Sequence, residues 1–203
     1  KNGYRHELKY LINRKDAELL KIRLKGIMDP DSHAGPSGKY TIRSLYFDDF
    51  AGTAFYEKLD GVAERTKYRI RYYDYDASLI KLERKEKIGN LTRKTAQTLT
   101  QADARVLEAG AIRPCPDHPD GLARELRLAC MCRGLRPKVL VDYDRTPFVC
   151  RDGNTRITLD ENLRTRPFCA DLAASSAAMI PVLENGQVIL EVKFDDFLPG
   201  YLA

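Results

Sequence analysis

The sequence predicts an α+β fold in which an antiparallel sheet of about eight strands closes into a barrel or tunnel, with helices on its flanks. Three observations carry this reading. Strand-type alternation recurs along the chain and is joined by tight turns such as Gly89-Asn90 and Asn185-Gly186, so consecutive strands pair antiparallel without crossover helices. Helical periodicity is gathered in two insertions. Several strands also share one rule, with Lys, Arg and Glu on one face and apolar or aromatic residues on the other, so that curling the sheet gathers the charge onto one surface.

Taken in order, Arg5 to Ile12 alternates as a strand. Arg14 to Met28 then places Ala17, Leu20, Leu24 and Ile27 at helical spacing with Asp16 near the start. Asp29-Pro30-Asp31 and Gly35 to Gly38 read as loop, and Tyr40 to Asp48 as a second strand, with Ile42, Ser44 and Tyr46 on one face. A short helical turn or loop reaches Asp60-Gly61. Two long strands follow, Thr66 to Tyr75 and Ser78 to Ile88, with a tight connection at Asp76-Ala77, and Gly89-Asn90 turns the chain into Leu91 to Gln97. Gln101 to Gly134 is helical in pattern, broken by the proline-rich run from Pro114 to Pro119. Strands return at Pro137 to Pro147 and Thr155 to Leu159, and Asn185-Gly186 joins Ile180 to Glu184 with Gln187 to Phe194 as a last hairpin. The chain of 203 residues, 1–203, reads as one domain.

Composition excludes several classes. The 34 Lys+Arg against 29 Asp+Glu leave a net charge of only +5, so position along the strands, not bulk charge, must select any polyanion. The five cysteines, Cys115, Cys130, Cys132, Cys150 and Cys169, form no CxxC pair and suit a reduced, cytoplasmic protein without structural zinc. No apolar run approaches the roughly 20 residues of a membrane span, and a start at Lys1 reads as an excised segment. There is no GxxxxGK[ST] loop and no GxGxxG after a strand. His6, His33 and His118 are scattered and read as ordinary surface residues. Nucleic acid is not expected, because alternation sets Tyr68 and Tyr72 opposite the cations, where they cannot share one stacking platform with them. They should pack beneath helices instead.

The charged faces carry the chemistry. Lys67, Arg69 and Arg71 point one way; Lys81, Glu83, Lys85 and Lys87 repeat the pattern; Arg5, Glu7 and Lys9 and then Glu191 and Lys193 do the same at the two ends. A solvated face is the ordinary explanation for any one of these strands. Together they place like charges on neighbouring strands, which repel unless an anion lies between them. Phosphate suits both cations, as Arg offers a bidentate fork and Lys a point charge. The interspersed Glu7 and Glu191 offer oxygen ligands of the kind Mg²⁺ or Mn²⁺ takes beside phosphate; the plainer role for each is a salt bridge that spaces the cations. Arg145 and the alternating Arg156, Thr158 and Asp160 extend the same surface.

These residues resemble the VTC-type polyphosphate polymerase domain within the triphosphate tunnel metalloenzyme (CYTH-like) superfamily. The resemblance rests on Glu7-x-Lys9-Tyr10, Ser44-Leu-Tyr-Phe-Asp48, Arg65-x-Lys67-x-Arg69-x-Arg71-Tyr72, Leu82-Glu83-x-Lys85-x-Lys87, Tyr143-x-Arg145, Arg156-x-Thr158-x-Asp160 and Leu190-Glu191-x-Lys193. It spans nearly the whole chain. It implies an eight-stranded tunnel that moves the γ-phosphate of ATP onto a growing polyphosphate chain, with Glu191 holding Mn²⁺ or Mg²⁺. On that reading Arg69, Arg71, Lys85, Arg145 and Arg156 clamp the phosphates and stabilise the transition state. Lys9, Ser44, Tyr46, Lys67, Lys87, Lys94 and Lys193 bind substrate, and Glu7 joins Glu191 at the metal. The implied partners are ATP and inorganic polyphosphate or triphosphate. Family members follow the final strand with a helix bearing a further phosphate-binding Lys, so the resemblance implies truncation at the C-terminus. Two other functions fit the same residues: a hydrolase of triphosphate or nucleoside triphosphate, and a noncatalytic module that binds polyphosphate or inositol pyrophosphate.

Overall fold

The computed structural model describes residues 3–110, 113–115, 117, 118, 120–174 and 176–203. Eight long strands form the framework: β1 (Tyr4–Asn13), β2 (Tyr40–Asp48), β3 (Glu64–Tyr73), β4 (Asp76–Ile88), β5 (Leu91–Leu99), β6 (Arg136–Cys150), β7 (Thr155–Pro167) and β8 (Gln187–Phe194). Helices α1 (Arg14–Lys25), α2 (Thr53–Leu59), α3 (Gln101–Glu108) and α4 (Gly121–Arg133) flank them. The strands pair antiparallel in the order β6-β2-β3-β4-β5-β1-β8-β7, and β7 returns to pair with β6, which closes the sheet into a barrel. Short two-residue strands, Asp29–Pro30 and Ile180–Pro181, add to β6 and β7.

Apolar residues on the outer faces explain why the helices lie where they do. Leu45, Ile70, Leu82 and Leu140 pack with Leu107 of α3, Leu122 and Leu126 of α4, and Cys169 and Leu172 of the segment after β7. Tyr68 and Tyr72 are buried in this layer, with the Tyr68 hydroxyl on Glu125 of α4 and the Tyr72 hydroxyl donating to the Leu172 carbonyl. On the other side, Ala17 and Leu24 of α1 meet Phe148, Ile157, Leu159, Val188 and Val192. Burying one face of each strand outward leaves the charged face to line the inside.

Local chemistry sets the boundaries. Asn13 caps α1 by accepting the Asp16 N–H at 2.9 Å, and the helix stops at Lys25, three residues short of the expected Met28, because the chain turns at Gly26 to bury Met28. The β3–β4 turn is Asp74-Tyr75, both left-handed, with Tyr73 paired to Asp76; Asp76-Ala77 already belongs to the strand. Strands β6 and β7 run well beyond Pro147 and Leu159. The last hairpin is a correction. Ile180–Pro181 pairs with Arg164 and Thr165 of β7, whereas β8 lies between β1 and β7, where Val188 and Val192 reach α1 and Glu191 reaches the lumen. His118 also departs from the surface role expected of it, since it is half-buried against the carboxylate of buried Asp103. Part of the proline-rich run from Pro114 to Pro119 lies outside the described residues.

The wall is not uniform. β1 pairs with β8 from His6 to Asn13, but it meets β5 only at Tyr4 opposite Arg93, Arg5 opposite Thr92 and His6 opposite Leu91. Among the described residues no helix is long and apolar enough to cross a membrane.

Candidate anion site in the tunnel

Alternation within a closed sheet turns Lys67, Arg69 and Arg71 of β3 inward, and with them Glu83, Lys85 and Lys87 of β4. The cross-strand register then decides who meets whom. Arg69 lies opposite Glu83, and that fully buried carboxylate accepts from Arg69 at 2.6 Å and Lys94 at 3.0 Å, with Arg71 at 3.8 Å. Glu191 of β8, 2% exposed, holds Lys193 at 2.6 Å, Lys9 at 2.9 Å and Arg145 at 3.3 Å. Glu7 of β1 takes Lys85 at 2.7 Å and stands 3.6 Å from Lys9. Arg145 makes a two-pronged pair with Asp160, both bonds 2.7 Å. Lys9 thus joins Glu7 to Glu191, and Arg145 joins Glu191 to Asp160.

Hydroxyls complete the lining. Arg71 donates to Ser44 at 2.9 Å and Tyr143 at 3.0 Å, Arg69 to Tyr46 at 2.8 Å, and Arg156 to Tyr40 at 2.9 Å. Arg156 also reaches Asp31 at 2.6 Å. The residues expected from the sequence to act in binding or catalysis lie on strand faces that alternation turns inward, with Lys67 and Lys87 towards one end, where among the described residues no polar contact ties them to the others, and Arg156 towards the other. Several contributors stood outside the set expected to bind substrate, catalyse or hold metal. Asp160 and Tyr40 were legible, since each continues an alternation already used. Glu83 was seen among the cations but not given a role, and Asp31 sits in a loop that carries no periodic signal.

The lumen carries more positive than negative charge. Cations stand directly opposite cations at Lys67 and Lys85, Arg71 and Lys81, Lys85 and Lys94, and Arg156 and Lys193. Pairs of this kind weaken a sheet unless an anion or water intervenes. The side chains of Lys9 and Lys94 remain 52% exposed, so solvent enters from the ends. Burial pushes the Lys193 ammonium down to about 8 against the pull of Glu191. Burial would raise the Tyr46 phenol, but Arg69, Arg71 and Lys9 outweigh it and hold it at about 7. Glu83 and Glu191 stay ionised because, although burial opposes their charge, Arg69 and Arg71 act on the first and Lys193 and Lys9 on the second. An arrangement of this kind can hold a string of phosphates without a protein nucleophile.

A model of the VTC domain matches residues 4–203. The chain belongs to the VTC domain family. Solved structures agree with it on architecture. A candidate adenylate cyclase from Bacillus halodurans superposes on this VTC domain with a TM-score of 0.57 at 16% identity, over 94% of this chain and 81% of the other. Another candidate adenylate cyclase, from Vibrio parahaemolyticus, gives 0.51 at 12% identity, over 100% and 82%. Likeness at these identities is one of fold. A search of curated proteins finds no match.

Whether the VTC domain suits a divalent ion turns on its carboxylates. Among the described residues no group of three or more His, Cys, Asp and Glu is gathered as a ready-made cage. Glu7 and Glu191 nonetheless face one shared cation, the Lys9 ammonium, and present only oxygen donors. That set fits Mg²⁺ or Mn²⁺, which take one or two carboxylates and complete their shell with water and substrate phosphate.

Proposed function

We propose that this VTC domain is a metal-dependent polyphosphate polymerase that moves the γ-phosphate of ATP onto the end of a polyphosphate chain. The observation that supports this best is the predominantly cationic lining of a closed tunnel, with like charges opposed across three pairs of strands and carboxylates too few to answer them. Such a lumen is complementary to linear phosphate along its length. Arg69, Arg71 and Lys85 grip the transferring group from β3 and β4, while Arg145 and Arg156 grip it from β6 and β7. Lys9, Lys94 and Lys193 exchange their carboxylate partners for phosphate oxygens, and Ser44 and Tyr46 orient the two arginines. Lys67 and Lys87 extend the grip towards one mouth. Glu191 and Glu7 would hold Mn²⁺ or Mg²⁺, which neutralises charge on the phosphate oxygens when bound. ATP as donor and a set of free cysteines suit a reducing, cytosolic setting.

Water is the competing acceptor. The half-exposed Lys9 side chain marks where solvent reaches the centre, which favours a second reading as a triphosphate or nucleoside triphosphate hydrolase. Incubation with ATP and Mn²⁺ followed by gel separation decides between them. Long polyphosphate is expected; orthophosphate and short products alone would replace the polymerase with the hydrolase. A purely binding module, a sensor of polyphosphate or inositol pyrophosphate, would show neither.

A further inference from the structure

We infer that the outer cleft between α1 and the wall of β6 and β7 is a second binding site, which takes a small organic anion with one phosphate or carboxylate head group and an apolar body. The cleft has a volume of about 600 Å³, which is the size of a small-molecule site. It lies on the far side of the wall from the tunnel. Arg145 and Asp160 pair on the inside, whereas the neighbouring pair, Asp144 and Glu161, lines the cleft outside. The inference therefore stands whichever reaction the tunnel performs.

One stripe of α1 faces this cleft. Arg14, Glu18, Lys21 and Lys25 recur at intervals of three and four, which sets them on one side of the helix, and Lys39 enters from the loop across the way. Lys21 is already engaged, donating to Glu18 at 2.9 Å and to Glu161 at 2.7 Å. Burial opposes its charge, but those two carboxylates outweigh burial and raise its pKa. The third carboxylate, Asp144, accepts from Thr41 at 2.9 Å and from Asn162 at 2.8 Å. Among the described residues the side chains of Arg14, Lys25 and Lys39 have no hydrogen-bond or ion-pair partner. Arg14 is unusual on a second count, since a cation in the first turn opposes the helix dipole and here gains no ion pair in return.

Charge and shape together define the ligand. Arg14, Lys21, Lys25 and Lys39 face Glu18, Asp144 and Glu161, so the surplus is a single positive charge. A polyphosphate, or any other polyanion, would meet carboxylates wherever it met cations. One anionic head group avoids this, because it can sit between Lys25 on the helix side and Lys39 on the loop side. Met28, Pro30 and Pro147 border the same part of the cleft and offer apolar surface to the body of the molecule. The turn at Gly186, packed beside Arg14, bounds the other end, so a compact molecule fits better than an extended peptide.

Fluorescence titration without added metal tests the site, with methylumbelliferyl phosphate, coumarin carboxylate and neutral methylumbelliferone as probes and tripolyphosphate present in excess. At least one of the two anionic probes should bind, and which one binds tells phosphate from carboxylate as the preferred head group. The neutral probe should bind about tenfold more weakly or worse, and Lys25→Ala/Lys39→Ala should weaken the anionic probe by about tenfold or more. Lys25→Gln/Lys39→Gln removes the charge, keeps most of the bulk and should repeat that loss. Both double variants should melt with wild type, because the two side chains are exposed. Failure of both anionic probes to bind, equal binding of the neutral one, displacement by tripolyphosphate, or full affinity in the double variants would each overturn the assignment.

Discussion

Tyr46 shows how a single side chain can tie the tunnel to pH. Its hydroxyl lies 2.8 Å from Arg69, and its pKa of about 7 divides a neutral phenol below from a phenolate above. A phenolate competes with phosphate for Arg69. Tripolyphosphate affinity of wild type relative to Tyr46→Phe should therefore fall between pH 6 and 8.5, by up to about tenfold. Without ligand the sign reverses. The folded pKa lies below that of a free phenol, so the stabilisation from Tyr46 is complete above about pH 10 and is lost as pH falls through 7. Thermal melts should show wild type gaining on Tyr46→Phe as pH rises from 6 to 9. Glu191→Gln provides a separate check: metal-dependent turnover should drop by about a hundredfold or more, while tripolyphosphate binding without metal is kept or strengthened. Unchanged turnover would remove Glu191 from the metal. Period-two alternation made these lumen residues readable in advance. Asp31 escaped because its contact with Arg156 spans a loop and depends on tertiary folding alone.

Among the elements, α3 and the segment after β7 hold a strained acid. Burial raises the Glu108 carboxyl to about 7, and Asp171 adds to the shift. A folded pKa above the unfolded one means that the stabilising protonated form is fully present at low pH and is lost as pH rises through about 7. Glu108→Gln should therefore raise the melting temperature at pH 8 by the equivalent of about 1 kcal/mol and change it little at pH 5. A larger gain at pH 5 would contradict the assignment. The strands and the two helical insertions were legible because each is a local pattern. Pairing of the last strand was not: Asn185-Gly186 has the residues of a hairpin turn, yet β8 joins β1 and β7 because only there do Val188 and Val192 find α1 and Glu191 find Lys9. The Asp74-Tyr75 turn was missed by two residues because neither is a glycine, the usual mark of left-handed backbone.

At the scale of the molecule, a barrel that encloses surplus positive charge is poised to be stabilised by its ligand. Tripolyphosphate at a hundred times its dissociation constant should add about 2.7 kcal/mol to unfolding, read as an upward thermal shift that sodium chloride at equal ionic strength does not reproduce. Closure itself could be argued from the sequence, since separate charged faces become comprehensible once they converge on one guest. Where the cylinder would be thinnest could not, because shear between strands is a property of the finished sheet. The short join of β1 to β5 makes that place a slit held by three rungs. Backbone amides of Arg5, His6 and Thr92 should exchange with deuterium sooner than those along β3 and β4, and a guest that draws Lys9 on one lip and Lys94 on the other towards itself should slow them. A bore of this kind loosens along a lengthwise crack, and its cargo is the clasp that draws the edges together.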